Sequence, residues 1–222
     1  MTEPRWTAGG WDAPALPAPL RVPMAVAAAL AVLAVAVLAA GHYRDSGPDW
    51  FDAWLTPAMR DVGAPAFRLA LVIDFAGEPG GSAILMAGVV LALLAAGRRR
   101  AAVVAVAGSG AAVTATTLLK PVVGRRIHEV YHAFPSGHTA LATALALVVG
   151  LVLADRLRLG RPAGTLLALT AAVLAAAAMA WSEVVLDAHY PTDAVGGCCT
   201  AVALVAATAW LVDRTADALL NR

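Results

Sequence analysis

The feature that most constrains this chain is a series of long apolar stretches that follow one another along most of its length. The first, Pro23 to Gly41, contains no charged residue. A helix of ~20 apolar residues crosses the ~30 Å hydrocarbon core of a membrane, so each such stretch predicts a spanning helix. Hydrophobic residues make up 60% of the 222 residues and charged residues 14%. Soluble domains have ~45–50% and ~25%, so we expect an integral membrane protein and exclude a disordered chain.

The stretches predict an all-α, polytopic membrane protein with six transmembrane helices. The expected spans are residues 23–41, 81–97, 101–119, 137–154, 164–181 and 193–212. They form one membrane domain, residues 23–212. A cytoplasmic N-terminal tail, residues 1–22, precedes it, and a cytoplasmic C-terminal tail, residues 213–222, follows it.

Two shorter segments lie between the first two spans. Aromatic and apolar residues recur at roughly helical spacing from Trp50 to Met59, which predicts an amphipathic interfacial helix in the first outer loop. Ala64–Phe75 is too short to span alone and carries Arg68 and Asp74. We interpret it as interfacial or re-entrant.

The distribution of Lys and Arg predicts the orientation, because short cytoplasmic loops are enriched in these residues. With the N-terminus inside, ten lie on the inner side and six on the outer side. The inner ones are Arg5, Arg21, Arg98, Arg99, Arg100, Arg156, Arg158, Arg161, Arg214 and Arg222, and the outer ones are Arg44, Arg60, Arg68, Lys120, Arg125 and Arg126. We therefore expect a multi-pass protein of the cell membrane with both termini in the cytoplasm. Loops 42–80, 120–136 and 182–192 would then face outward.

Charge and cysteine content exclude several classes of function. A net charge of +1 leaves no broad basic field for nucleic acid. Cys198 and Cys199 are adjacent, which excludes a disulfide scaffold and leaves a zinc site unsupported.

The outer loops hold four of the five histidines, and one of these lies in the tetrapeptide Pro135-Ser136-Gly137-His138. A Pro-Ser-Gly turn that opens a helix exposes N–H groups which, with the helix dipole, favour an anion such as phosphate. His138 would be placed to give a proton to a leaving group. The alternative is a plain N-cap at Ser136 with an interfacial His138.

His189 and Asp193 are four residues apart in the next outer loop. Asp193 at the start of the last helix can accept a hydrogen bond from one His189 nitrogen, which leaves the other nitrogen free to attack. The alternative is a structural His–Asp pair.

Three basic residues are candidates for binding phosphate oxygens: Lys120, Arg125 and Arg126. The alternative is a basic cluster that contacts lipid head groups. We favour this alternative for Arg126 alone.

Together these residues resemble the type 2 phosphatidic acid phosphatase (PAP2) superfamily, whose three motifs are KxxxxxxRP, PSGH and SRxxxxxHxxxD. Lys120 matches the first, residues 135–138 match the second, and Ser182, His189 and Asp193 match the third. The chain departs from the family where Ile127 and His128 replace Arg-Pro and where Glu183 replaces Arg. Arg125 and Arg126, or a protonated His128 or His132, would then take over part of the phosphate binding.

The resemblance implies a lipid phosphate phosphatase that needs neither a metal nor a cofactor. His189 would attack phosphorus to form a phosphohistidine, His138 would protonate the departing oxygen and later activate water, and Asp193 would orient His189. The expected phosphate-binding residues are Lys120, Arg125, Arg126, Ser136 and Gly137. The substrate would be a phospholipid or a polyprenyl phosphate or diphosphate.

Three alternatives stay open. Glu183 and Ile127 favour a catalytically weak lipid-phosphate-binding protein that retains the fold. The predicted spans count against a vanadate-dependent haloperoxidase. A transporter would be indicated by broken helices in matched halves, which the sequence does not show.

Two positions are expected for Glu183. It would either point away from the phosphate and pair with Arg126, or lie on the rim of the site in water.

Overall fold

The computed structural model describes residue 11 and residues 13–221. A 3-10 helix, Ala18–Leu20, precedes eight α-helices. These are α1 (Arg21–Gly41), α2 (Trp50–Arg60), α3 (Ala64–Phe75), α4 (Pro79–Ala95), α5 (Arg99–Val123), α6 (Gly137–Arg156), α7 (Arg161–Val185) and α8 (Pro191–Leu220). A two-stranded antiparallel hairpin, β1 (Arg126–Ile127) and β2 (Tyr131–His132), joins α5 to α6.

The expected polytopic, all-α membrane fold is confirmed. Helices α1, α5, α6, α7 and α8 are each long and apolar enough to cross a membrane. Helices α3 and α4 meet at a 67° bend, and six spans result when this pair counts as one broken span. Ala64–Phe75 is therefore a helix joined to the second expected span by this bend, which fits the expected re-entrant segment as well as one half of a broken span.

Helix α6 is the central element. It packs against α5, α7 and α8, and most of its side chains are buried. Small residues permit this packing, as is typical of membrane helices. A Cβ on Gly150 would lie 2.9 Å from the Cα of Ala168 on α7, so these two helices are in backbone contact. On the outside of the bundle, α1 exposes Leu30 and Val37 by about 60%, as a lipid-facing helix does.

The predicted amphipathic helix is α2. Its first turn is fixed by a capping box in which Asp49 accepts from the Asp52 N–H and Asp52 accepts from the Asp49 N–H. Trp50 and Trp54 are exposed, whereas Asp52 is completely buried against α8. The polar side of this short helix therefore faces the protein.

Helices α5, α7 and α8 extend by four residues or more beyond their expected ends, and Lys120 therefore lies in the last turn of α5. Helix α7 continues to Val185, so Ser182 and Glu183 lie in the last turns of a helix rather than in a loop. Helix α8 continues to Leu220, which makes most of the expected C-terminal tail, residues 213–222, helical. Asp213 explains this extension, because it is buried and accepts hydrogen bonds from the N–H groups of Ala15 and Leu16. Residues 1–10 and 12 of the expected N-terminal tail lie outside the described residues.

The bundle has two chemically different ends. At one end, Arg98 pairs with Asp155 at 2.5 Å, and Arg100 pairs with Asp213 at 3.4 Å and with Asp217 at 2.6 Å. The residues of the three motifs lie at the other end, where α5 ends and α6 and α8 begin.

Candidate active site

The N-terminus of α6 forms the floor of the candidate site. Ser136 is the N-cap, and its hydroxyl accepts a hydrogen bond from the Thr139 N–H at 3.1 Å. The Gly137 and His138 N–H groups belong to the first turn, where no carbonyl of the same helix can accept from them. The tetrapeptide therefore adopts the predicted helix start and directs N–H groups toward the space above it.

Two glycines allow close approach of other elements to this helix start. A Cβ on Gly197 of α8 would lie 2.3 Å from the Ser136 carbonyl oxygen. This contact places α8 beside the N-cap, where the Ser136 N–H donates to the Asp193 carbonyl at 2.9 Å. A Cβ on Gly77 would lie 1.9 Å from Cδ2 of His138, so the α3–α4 bend packs directly on that imidazole.

His189 and Asp193 lie together, as their spacing predicted. Nδ1 of His189 is 3.5 Å from Oδ2 of Asp193, which is long for a hydrogen bond but places the carboxylate on that side of the ring. The same oxygen accepts from the Tyr190 N–H at 2.9 Å. Nε2, the other ring nitrogen, points away from Asp193 toward Glu183.

Arg125 does not occupy the place that a phosphate clamp requires. Its side chain has no exposed surface and donates to Asp193 at 2.7 Å and to Asp52 at 2.5 Å. It also donates to Thr192 at 2.6 Å and stacks on the Tyr190 ring at 4.6 Å. Because these partners use most of its N–H groups and exclude a ligand, the structure corrects the expected role: Arg125 anchors Asp193 from behind.

Asp52 is the member of this network that the sequence analysis missed. It accepts from Arg125, from the Thr192 N–H at 2.9 Å and from the Thr192 hydroxyl at 2.8 Å. An acidic residue within an otherwise apolar and aromatic helix was the available signal, but its partners are 73 and 140 residues away along the chain.

Glu183 lies inside the site, contrary to both expectations for it. Its carboxylate is 1% exposed and accepts hydrogen bonds from the hydroxyls of Ser136 at 2.6 Å and Thr139 at 2.7 Å. Oε1 is 3.6 Å from Nε2 of His189. Burial excludes a position on a water-exposed rim, and Glu183 does not pair with Arg126. These hydroxyls were not foreseen as partners because they depend on how α6 packs on α7.

Lys120 and His138 line one end of an apolar groove. The groove has a volume of about 580 Å³ and runs between α4, α5 and α6, past Met86, Val106 and Val113. From Val106 to Lys120 it follows α5 for ~21 Å at 1.5 Å per residue. Lys120 and His138 thus lie where the apolar groove reaches the motif end of the bundle. Lys120 is also close enough to Glu183, Asp193 and His189 for electrostatic interaction.

The remaining candidate residues lie outside this arrangement. Arg126 is exposed on the hairpin, where its guanidinium donates to the Glu129 carbonyl at 3.5 Å. His128 is exposed and contacts Asp187 at 3.3 Å, and His132 is exposed on β2. The hairpin turns these side chains outward, so the structure does not bring Arg126, His128 or His132 to His189.

One group of side chains in the described part of the chain has the spacing of metal ligands. Asp74, Glu78 and His138 each offer one ligand atom, and these atoms lie within 4.8 Å of one another. Asp74 and Glu78 are four residues apart, but His138 belongs to the distant helix α6, so the cluster is not visible as a motif in the sequence. Nε2 of His138 is 3.6 Å from Glu78 and lacks a hydrogen-bond partner among the described residues.

The electrostatic surroundings act on the nucleophile candidate itself. Burial lowers the pKa of His189, but the carboxylates of Glu183 and Asp193 raise it by more, and the net shift is upward. His189 is only 8% exposed, so water screens these charges weakly. Its imidazole is therefore easier to protonate than that of a free histidine.

Known proteins of one family resemble this chain in sequence and in fold. A family model described as the PAP2 superfamily matches residues 101–217, more than half of the chain. No curated protein gives a match. Among solved structures, the chain is similar to the first transmembrane PAP2-type phosphatidylglycerolphosphate phosphatase from Bacillus subtilis. The TM-score is 0.65 at 19% identity, with 86% of this chain and 96% of that chain covered, which shows a shared fold.

Proposed function

This chain belongs to the PAP2 superfamily, and we propose that it is a membrane-bound phosphatase that hydrolyses a phosphomonoester or diphosphate of a lipid through a phosphohistidine. The substrate class comprises phosphatidic acid, phosphatidylglycerol phosphate and polyprenyl-linked phosphates. The observation that carries the proposal is that the buried His189–Asp193 pair lies within electrostatic reach of Lys120, which lines an apolar groove together with His138.

In the first step, Nε2 of His189 attacks phosphorus and the bond to the lipid oxygen breaks. Asp193 on the Nδ1 side favours the tautomer with a proton on Nδ1, which leaves a lone pair on Nε2. His138 gives its proton to the departing alkoxide. Lys120 and the N–H groups of Gly137 and His138 stabilise charge on the phosphoryl oxygens.

In the second step, His138 takes a proton from water, and the resulting hydroxide attacks the phosphohistidine. The P–N bond breaks, phosphate leaves, and Nε2 recovers its lone pair. Ser136 contributes by holding the first turn of α6 in place through its bond to the Thr139 N–H. The proposed catalytic residues are thus His138, His189 and Asp193, and the phosphate-binding residues are Lys120, Ser136 and Gly137.

We further propose that turnover requires no metal and no cofactor. The charge that a metal would supply comes in this scheme from Lys120 and from the N-terminus of α6. The Asp74, Glu78 and His138 cluster provides the sharpest test, because it is the place where a divalent ion would act if this proposal is wrong.

A second candidate function, a lipid-phosphate-binding protein with little catalysis, is favoured by Glu183. A carboxylate 3.6 Å from the attacking nitrogen repels a doubly charged phosphate. The His189–Asp193 pair argues for the enzyme, since simple binding has no need of an oriented nucleophile.

The deciding experiment measures phosphate release from the lipid panel by the detergent-purified protein in excess chelator. We expect turnover by the wild type, and losses of at least ~10²–10⁴-fold for His189→Ala. His132→Ala, which changes an exposed hairpin histidine, is the matched control and should retain full activity. Phosphate release by His189→Ala would reject the phosphohistidine, and restoration by a divalent ion after chelation would reject metal independence. Lipid binding without any turnover would establish the second candidate.

A further inference from the structure

Glu183 borders the space in which a substrate phosphate must lie. Reacting atoms in a near-attack geometry are ~3–3.5 Å apart. Because Oε1 of Glu183 is already 3.6 Å from Nε2 of His189, a phosphoryl group within attack distance of that nitrogen brings one of its oxygens against the carboxylate. The contact between substrate and Glu183 is therefore a direct one between two oxygen atoms.

The hydrogen bonds around Glu183 keep it an acceptor. The hydroxyls of Ser136 and Thr139 both donate to it, and an ionised carboxylate can only accept. Two anionic oxygens about 3 Å apart repel each other strongly unless a proton lies between them. Because two hydroxyls already donate to the Glu183 carboxylate, the geometry favours a proton carried by the phosphate.

We propose that Glu183 accepts a hydrogen bond from a P–OH group, so that the site selects the singly protonated, monoanionic phosphate over the dianion. This inference relies on the proposed function for the class of ligand, a phosphomonoester. Glu183 thereby acts as a specificity-determining residue that distinguishes the ionisation states of one substrate.

The charges that face Glu183 from the neighbouring elements favour the same choice. Asp74 of α3, Lys120 of α5 and His189 before α8 interact electrostatically with Glu183. His138 of α6 acts on Asp74, and Asp193 of α8 acts on Lys120 and His189. Lys120 is the permanent cation among them, while Arg125 is committed to Asp193 and Asp52. Because Arg125 and Asp193 compensate each other, the carboxylates of Glu183 and Asp74 are the ones that disfavour a second negative charge on the phosphate.

Inorganic phosphate and sulfate provide a test that does not depend on hydrolysis. Both are tetrahedral anions, but near neutral pH only phosphate carries a proton that it can donate. Binding to the detergent-purified full chain is measured as ligand-dependent thermal stabilisation. We expect the wild type to bind phosphate at least about tenfold more tightly than sulfate, as expected for a hydrogen bond to a charged group. Methylphosphonate, whose monoanion carries one P–OH group and whose dianion carries none, should bind progressively more weakly as rising pH removes that proton.

Glu183→Gln should bind the two anions equally, because the amide can donate to an oxygen that carries no proton. Glu129→Gln, an exposed change on the hairpin, is the matched control and should keep the wild-type preference. Dimethyl phosphate separates charge from hydrogen bonding, since it is singly charged without a P–OH, and it should bind as weakly as sulfate.

The proposal is overturned by equal binding of phosphate and sulfate to the wild type, by tight binding of dimethyl phosphate, or by an unchanged preference in folded Glu183→Gln. If Glu183→Gln fails to fold, the wild-type comparison of the three anions, together with the pH series on methylphosphonate, decides the question by itself. Preferential phosphate binding without hydrolysis of any lipid phosphate would refute the proposed function and support this inference. Failure of the proposed function and failure of this inference are therefore distinguishable.

Discussion

At the scale of single residues, Arg125 shows how a cation can serve a phosphate site without contact with the phosphate. It is fully buried between Asp52 and Asp193, and removal of one partner of a buried ion pair costs about 3–5 kcal/mol. We therefore expect Arg125→Ala to lower the free energy of unfolding by about that amount. Arg125→Lys should not restore it, because an ammonium group lacks the fork that bonds both carboxylates.

Thermal unfolding in detergent measures this effect, with Arg126→Ala as the control. Arg126 is exposed and donates to a single carbonyl, so its removal should change stability by no more than about 0.5 kcal/mol. Wild-type stability of Arg125→Ala, accompanied by weaker phosphate binding, would instead assign Arg125 the clamp role that the sequence suggested.

His189 leads to a prediction about pH. Its pKa is raised because the carboxylates of Glu183 and Asp193 outweigh burial, and only the neutral imidazole can attack phosphorus. As pH falls, kcat/KM should therefore decline through a pKa above the ordinary value of about 6.5. Glu183→Gln removes one of the two carboxylates that raise this pKa, so the acidic limb should move to lower pH.

A pH series of kcat/KM on a soluble short-chain substrate tests this, with Glu129→Gln as the control. An acidic limb that stays in place in Glu183→Gln would show that another group controls it.

At the scale of elements, helix α2 is coupled to the catalytic pair on α8. Asp52 bonds Arg125 and Thr192, and Arg125 bonds Asp193. Asp52 is thus a positioning residue, and we expect Asp52→Asn to lower kcat ~10–100-fold with little change in KM, as for other residues that orient a functional side chain from behind. Asp61→Asn, an exposed change just after the same helix, should have no effect.

A double-mutant cycle separates positioning from a general loss of structure. If Asp52 acts through Asp193, the effects of Asp52→Asn and Asp193→Asn on kcat should not add. Both variants weaken a buried ion pair and lower thermal stability, so kcat is measured at a temperature where each variant remains folded. Additive effects on kcat would show that α2 contributes independently of the catalytic pair.

Hydropathy and motif spacing predicted most of the helices and the helix start at Ser136, because both are local properties. Hydropathy could not predict the end of α7, because Ser182 and Glu183 are polar and yet belong to the helix. The Ser182 hydroxyl donates to the Met179 carbonyl, and the Glu183 carboxylate accepts from the Ser136 hydroxyl. The roles of Arg125 and Glu183 also escaped prediction. They depend on partners far along the chain, which a motif alone does not identify.

At the scale of the whole molecule, the two ends of the bundle predict its orientation in the membrane. Arg98, Arg99 and Arg100 lie at the end opposite to the motif residues, and the positive-inside rule assigns that end to the cytoplasm. Arg156, Arg158 and Arg161 lie at the same end, around the loop between α6 and α7. We therefore propose that both termini are cytoplasmic and that the site faces the extracytoplasmic side.

Reporter fusions at two positions test this orientation within one protein. A reporter that is active only when exported should be active after Glu129 in the exposed hairpin and inactive after the last residue, Arg222. A reporter that is active only in the cytoplasm should give the opposite pattern at the same two positions. Because the hairpin and the α6 N-terminus are adjacent in the chain, an exported hairpin also gives His138 and His189 access to lipids of the outer leaflet. Intact cells should then hydrolyse an added short-chain lipid phosphate that does not cross the membrane. A cytoplasmic hairpin, or hydrolysis only after permeabilisation, would reverse the proposed orientation.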